Sequence, residues 1–140
     1  MLTKLFRPKT WLIGAGVIHL IMGVVVQIVM PGKVAEMGWG KGNAMPHDMF
    51  YEAYLGFMIL PHAVLLLATA FLFEGVTQAR IAALLGGSTL LGFVGVAVEA
   101  NHVGYLADMG AVAAFAPPIL LFTGLTLAGV FNWKGRNGGA

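Results

Sequence analysis

The stretch WLIGAGVIHLIMGVVVQIVM, residues 11–30, decides the fold class of this chain. It is 20 residues long, contains no Asp, Glu, Lys or Arg, and is followed by Pro31 and Gly32. A helix rises about 1.5 Å per residue, so the stretch spans roughly 30 Å, which matches the hydrocarbon core of a bilayer. The basic residues before it resemble the flank of a signal peptide, but no small-residue cleavage site follows. We therefore predict a retained membrane-spanning helix.

Three further apolar stretches follow, and each is long enough for another spanning helix. We predict these helices at residues 50–73, 81–101 and 109–133. The polar segments between them are short, which makes successive helices antiparallel. Residues 32–49 form a Gly-rich outer connector, in which Pro46 and the glycines argue against a long helix. The predicted fold is all-α: one domain over residues 1–140, an integral membrane four-helix bundle in up-down-up-down order.

The composition supports a membrane protein and excludes several other classes. Of the 140 residues, 59% are hydrophobic and only 10% are charged, and the mean hydropathy is +0.85. This leaves too little polar surface to cover a soluble globule. The net charge of +2 is small and dispersed, so nucleic acid is not expected as a partner. The absence of cysteine excludes disulfides, thiolate catalysis and iron–sulfur ligation.

The distribution of basic residues predicts the orientation in the bilayer. Lys33 and Lys41 fall in the connector, and the other basic residues fall on the opposite side of the predicted spans: Lys4, Arg7, Lys9, Arg80, Lys134 and Arg136. Because cytoplasmic loops carry an excess of Lys and Arg, both termini are expected on the cytoplasmic side. We expect a multi-pass protein of a bacterial inner membrane, with most acidic residues on or near the outer side: Glu36, Asp48, Glu52, Glu99 and Asp108.

Small residues mark the helix faces that we expect to pack inside the bundle. The third predicted helix carries small and ionisable residues at spacings of 4, 3, 4 and 3: Ser88, Gly92, Gly95, Glu99 and His102. This spacing places them on one face, and small residues let helices in a membrane approach closely. We therefore expect this stripe to point into the bundle. The first helix carries a related stripe, Ala15, His19 and Gly23.

Two histidines near the middle of predicted spans form the first candidate site. His19 and His62 lie at similar depths, roughly 12 and 16 Å from the cytoplasmic boundary. An ionisable side chain at bilayer depth is costly, so it faces the protein interior and indicates function. Together the two imidazoles are able to ligate haem b, or one is able to hold a chlorophyll-type pigment, with Ala15 and Gly23 leaving a flat slot. Alternatively, each histidine bonds to a backbone carbonyl, such as the one that Pro61 frees in the preceding turn.

A second candidate site lies at the outer end. Glu99 and His102 form a Glu-x-x-His pair on one helix face, a spacing that carboxylate-rich bundles use to hold a metal ion. Glu52 near the same boundary completes the predicted metal site, with His47 and Asp48 of the connector as further ligands. The alternative is a hydrogen-bonded interfacial network of Glu52, Glu99 and His102 with nearby tyrosines: Tyr51, Tyr54 or Tyr105.

These observations support three hypotheses for function. The leading one is an accessory subunit of a larger membrane complex that docks through its Gly-rich faces on other membrane subunits or on a second copy. Its sharper form includes haem or another tetrapyrrole at the histidines and a role in electron transfer. The second hypothesis is a membrane enzyme that acts on a lipid or quinone with a Glu/His site at the outer face. The third is a purely structural membrane subunit.

Overall fold

The computed structural model describes residues 6–106 and 111–135, without the side chains of residues 111–114. The described residues form helices and no strand, which confirms the predicted helical class. There are five helices in this part of the chain: α1 (Pro8–Val29), α2 (Pro31–Trp39), α3 (Pro46–Leu72), α4 (Gly75–Val103) and α5 (Ala111–Phe131). Three of them, α1, α3 and α4, are long and apolar enough to cross a membrane, and Phe115–Phe131 of α5 is a shorter apolar helix.

Helix α1 changes its winding halfway along. It is an α-helix over Pro8–Ile18, a π-helix over His19–Val25 and an α-helix again over Val26–Val29. In the π segment the hydrogen bonds skip one more residue than in an α-helix, as in the bond from the Val26 N–H to the Ile21 carbonyl. The wider winding rotates the following side chains relative to those before it, and it begins at one of the two candidate histidines.

The connector over residues 32–49 contains a helix that the sequence analysis did not predict. Pro31 supplies the fixed backbone angle suited to a first helical turn, and α2 ends before Gly40, whose φ is +88°. Helix α3 also begins earlier than predicted, at Pro46. The Met45 N–H donates a 2.8 Å hydrogen bond to Oδ2 of Asp48, which satisfies a backbone group at this helix start. The prediction was wrong here because it treated glycine and proline only as helix breakers.

The turn between α3 and α4 is closed by one buried amide. Nε2 of Gln78 donates to the carbonyl of Phe73 at 2.7 Å and to that of Ala70 at 3.1 Å. Both carbonyls lie at the end of α3, where a helix leaves backbone acceptors without intrahelical donors. Helix α4 begins at Gly75, before the predicted residue 81, because Gln78 faces inward instead of lying in a solvated loop.

The core lies where α1, α3, α4 and α5 meet, near the α3–α4 turn. It is a cluster of fully or almost fully buried side chains: Leu12, Ala15, Leu66, Ala70, Ala82, Phe122 and Leu125. Glycines bring α4 and α5 into backbone contact here. A Cβ added at Gly129 would overlap the backbone of Ala83, and one added at Gly86 would lie 2.7 Å from the Thr126 nitrogen. This close approach maximises dispersion contacts between the two helices.

The stripe on α4 that was expected to point inward faces outward. Ser88, Gly92, Gly95, Glu99 and His102, called here the exposed α4 stripe, are all exposed. No atom lies within 4 Å of a Cβ built at Gly92 or at Gly95. The opposite face of α4 is buried instead through four small residues: Ala79, Ala82, Ala83 and Gly86. The prediction was wrong because α4 has two faces of small residues, and the alanine face is the one that packs against Gly129 of α5.

Some of the predictions lie outside the described residues. Met109, the predicted start of the last helix, falls in residues 107–110, so only the later part of that prediction meets the observed α5. Three charges used to predict the orientation, Lys4, Asp108 and Arg136, also lie outside the described residues. Pro117 and Pro118 lie inside α5.

Candidate functional site

The structure brings together the two histidines that were singled out by their depth. The ring centroids of His19 on α1 and His62 on α3 are 5.2 Å apart, and the ring planes meet at 75°. This is an edge-to-face contact, in which the edge of one ring points at the face of the other. Residue spacing along the two helices was therefore a useful guide to which side chains meet.

Two phenylalanines enclose the histidine pair. The ring of Phe122 on α5 lies 5.4 Å from that of His19 and 6.2 Å from that of His62. Phe93 on α4 lies 6.2 Å from His19 and 5.6 Å from Phe122. The four rings form one cluster, called here the His–Phe cluster, to which each of α1, α3, α4 and α5 contributes one ring. Sequence reasoning missed both phenylalanines, because an apolar ring on an apolar helix carries no signal of its partner.

A threonine on α4 fixes the orientation of His62. Oγ1 of Thr89 lies 3.0 Å from Nε2 of His62 and 2.7 Å from the Leu85 carbonyl. A hydroxyl has one proton, and that of Thr89 is donated to Leu85, so Nε2–H of His62 donates to Oγ1 and leaves Nδ1 as the acceptor. The partner of Nε2 is therefore Thr89, and not the backbone carbonyl that Pro61 frees.

The packing around the histidines does not fit a tetrapyrrole between them. Two axial imidazoles must stand on opposite faces of the macrocycle and direct one nitrogen each at the metal. Here the two rings touch, and Nε2 of His62 is bound to Thr89. The expected slot is also filled, because Ala15 is fully buried in the core and a Cβ at Gly23 would lie 3.1 Å from Cγ2 of Ile59. In this structure the residues of the predicted cofactor site thus contact one another or neighbouring side chains.

A second polar cluster lies at the end of the molecule that carries α2. Glu52 on α3 is only 9% exposed, and its Oε1 accepts a 2.6 Å hydrogen bond from the Tyr105 hydroxyl. Nε2 of Gln27 on α1 donates to Oε2 of Glu52 at 3.4 Å. The alternative of a hydrogen-bonded network with a tyrosine thus matches the surroundings of Glu52. Gln27 was missed, although it is a polar residue near the end of a mostly apolar helix.

Tyr105 is held in place by two residues of α2. Its ring packs against Trp39 with centroids 5.0 Å apart, and it lies against Gly38, where any side chain would overlap it. The next residue, Leu106, donates its N–H to the Gly38 carbonyl. Burial raises the pKa of Tyr105, and the hydrogen bond to Glu52 raises that pKa further. The phenol therefore keeps its proton and acts as the donor.

The other members of the predicted metal site differ from Glu52 in how far they are exposed. Glu99 and His102 are exposed, whereas Glu52 is buried. Over residues 6–106 and 111–135, no three His, Asp or Glu side chains lie close enough together to hold a metal ion. Nε2 of His47 lies 3.4 Å from Oδ1 of Asp48, and His47 is mostly exposed. The structure therefore adds no support for a metal ion shared by these residues.

Comparisons with protein-family models, with curated proteins and with solved structures found no match. The class of the protein follows from the fold itself: a helical protein with three membrane-capable apolar helices, compatible with a membrane protein.

Proposed function

We propose that the chain is a four-helix integral membrane protein that serves as an accessory subunit of a larger membrane complex. Helices α1, α3, α4 and α5 cross the bilayer of a bacterial inner membrane in up-down-up-down order, with both termini in the cytoplasm. The exposed α4 stripe packs against a helix of a neighbouring subunit. The observation that carries the proposal is that this stripe is open, although another face of the same helix is tightly packed.

The small residues of the exposed α4 stripe suit contact with another helix better than contact with lipid. Lipid chains gain no advantage from a glycine face, whereas a second helix approaches it closely and gains dispersion contacts and backbone hydrogen bonds. Ser88, Gly92 and Gly95 supply such a face over two turns. Glu99 and His102 continue it toward the end of α4, where polar groups find partners in a neighbouring subunit at little desolvation cost. This combination favours a protein neighbour over lipid.

The tetrapyrrole is not part of the proposal, because the two histidine rings contact each other and Nε2 of His62 is bound to Thr89. Protein extracted gently from its native membrane is therefore expected to show no absorption band of haem or of a chlorophyll-type pigment. A band that disappears in His19→Ala and in His62→Ala, but not in the control His47→Ala, would show that the cluster opens around a cofactor. That result would restore the tetrapyrrole to the proposal.

The docking proposal is tested by the mass of the assembly that contains this chain. Gly95→Leu fills the stripe, and Val98→Leu is the matched control because Val98 is 66% exposed and lies on the same turn, beside the stripe. Each variant is expressed from its native locus, extracted in mild detergent and measured by size exclusion with light scattering. We expect the unaltered chain and Val98→Leu to elute in a large complex, and Gly95→Leu to elute alone.

Three results would count against this account. Elution of the unaltered chain alone would remove the accessory role. Elution as two copies only would favour the homo-oligomer. Unchanged assembly in Gly95→Leu would show that another face makes the contact.

A further inference from the structure

The polar cluster beside α2 contains a buried acceptor that nothing satisfies. Among the described residues, Oε1 of Gln27 is the buried side-chain oxygen or nitrogen for which no hydrogen-bond partner is found. Leaving a buried acceptor unpaired is unfavourable, so a native structure that keeps one has a reason to do so. A group that binds to Oε1 of Gln27 would satisfy this acceptor.

The neighbouring carboxylate of Glu52 also has an oxygen without a strong hydrogen-bond donor. Oε1 of Glu52 is satisfied by Tyr105, but Oε2 has only the long 3.4 Å bond from the Gln27 amide. In the described part of the chain no Lys or Arg forms an ion pair with Glu52; the ion pair found there joins His47 and Asp48. A nearly buried carboxylate without a countercharge is unfavourable. Gln27 Oε1 thus has no partner, and Oε2 of Glu52 has only the long bond from the amide nitrogen of the same glutamine.

We propose that these two oxygens bind a small monovalent cation of the alkali type at the α2 end of the protein. The known side-chain donors are all oxygens, and hard cations prefer oxygen ligands over nitrogen and sulfur. One carboxylate supplies one negative charge, which neutralises a monovalent ion, whereas Ca²⁺ sites commonly include several carboxylates. Remaining coordination positions are filled by backbone carbonyls or water.

Tyr105 is a positioning residue for this site. Its hydroxyl bonds to one oxygen of Glu52 and so leaves the other free to face Gln27. Because Trp39 and Gly38 hold the tyrosine ring, helix α2 is connected to the site through that side chain. Cation binding is therefore expected to stabilise the contact between α2, α3 and the turn after α4.

The experiment measures thermal stability of the purified full chain in different salts. Unfolding is followed in detergent in NaCl, KCl, LiCl and choline chloride at equal ionic strength, with choline too large for the site. At about ten times the dissociation constant, one bound ion raises the melting temperature by about 4 °C. We expect such a rise, saturating with concentration, in at least one alkali salt relative to choline. Equilibrium dialysis with radioactive sodium measures binding directly when NaCl gives the rise.

Variants assign the effect to these residues. Glu52→Gln and Gln27→Met are expected to abolish the difference in melting temperature between the alkali salt and choline. Glu36→Gln, at an exposed position of α2, is the control and is expected to retain this difference. Gln27→Met keeps the side-chain volume, so it remains informative if Glu52→Gln fails to fold. Equal melting temperatures in all four salts would overturn the proposal and indicate a proton or water at these oxygens. An alkali effect that persists in Gln27→Met would also overturn it.

Discussion

The glycines where α4 meets α5 differ from the glycines of the exposed α4 stripe in what surrounds them. At Gly86 and Gly129 the neighbouring helix lies so close that a side chain would overlap its backbone. At Gly92 and Gly95, on the same helix α4, the space is open. Both sets have the small-residue pattern of a membrane helix interface. The difference indicates that one set holds the chain together, while the other is available to a second protein.

The comparison also shows why neither set was assigned correctly from sequence. The periodicity of α4 identifies two small-residue faces, and periodicity alone gives no preference between them. The choice is made by α5, whose Gly129 packs directly against Ala79 and Ala83 of the alanine face of α4. Complementarity of this kind depends on two distant segments at once.

The largest expected effect comes from placing a methyl group in the packed set. Gly129→Ala forces a Cβ against the backbone of Ala83, which is unable to move without shifting α4. We expect a loss of about 3 kcal/mol in the free energy of unfolding, measured by denaturant titration in mixed micelles. Gly95→Ala, the matched control, is expected to change this free energy by less than about 0.5 kcal/mol. Similar losses of unfolding free energy in Gly129→Ala and Gly95→Ala would show that the packed and the exposed glycines do not differ in their surroundings.

A smaller effect is expected at the contact between Thr89 and His62. Thr89→Val leaves Nε2–H of His62 without an acceptor, which costs about 1–2 kcal/mol of unfolding free energy. Thr123→Val is the matched control, because Thr123 also donates to the carbonyl four residues before it but contacts no histidine. In denaturant titrations, the losses of unfolding free energy in the two variants should therefore differ by about the cost of one unpaired imidazole donor. Equal losses would mean that the histidine finds another partner.

The smallest effect is a change in stability at alkaline pH. The fold raises the pKa of Tyr105 above the ordinary value of 10.0, so the unfolded chain loses this proton at lower pH than the folded chain. Its contribution to stability is constant below about pH 10 and falls as the pH rises further. In Tyr105→Phe this part of the alkaline loss should disappear. Melting temperatures between pH 8 and pH 11, compared with those of Tyr51→Phe, measure it. Parallel curves for all three proteins would contradict the assignment.

Sequence reasoning recovered the elements that depend on local composition. The long apolar stretches became α1, α3 and α4, since their length and lack of charge decide helix formation in a membrane. The meeting of His19 and His62 followed from their depth along two helices. Helix α2 was missed because its glycines were given more weight than Pro31, whose position at a helix start is favourable.

The surroundings of the candidate sites required the structure. Phe122 and Thr89 complete the His–Phe cluster and its hydrogen bond, yet each is an ordinary residue on its own helix. Gln27 meets Glu52 only because α1 and α3 cross at that level. The same packing closes the slot that was expected beside His19. Rotation of a helix about its axis is set by contacts with distant segments, and local periodicity leaves it open.

The most direct test of the central claim asks what touches the exposed α4 stripe in the native membrane. A small aliphatic diazirine side chain is placed at residue 88, in the stripe, or at residue 98, beside it, and the adducts formed on illumination are identified by mass spectrometry. The account predicts a protein adduct at residue 88 and lipid adducts at residue 98. Lipid adducts at both positions would contradict it.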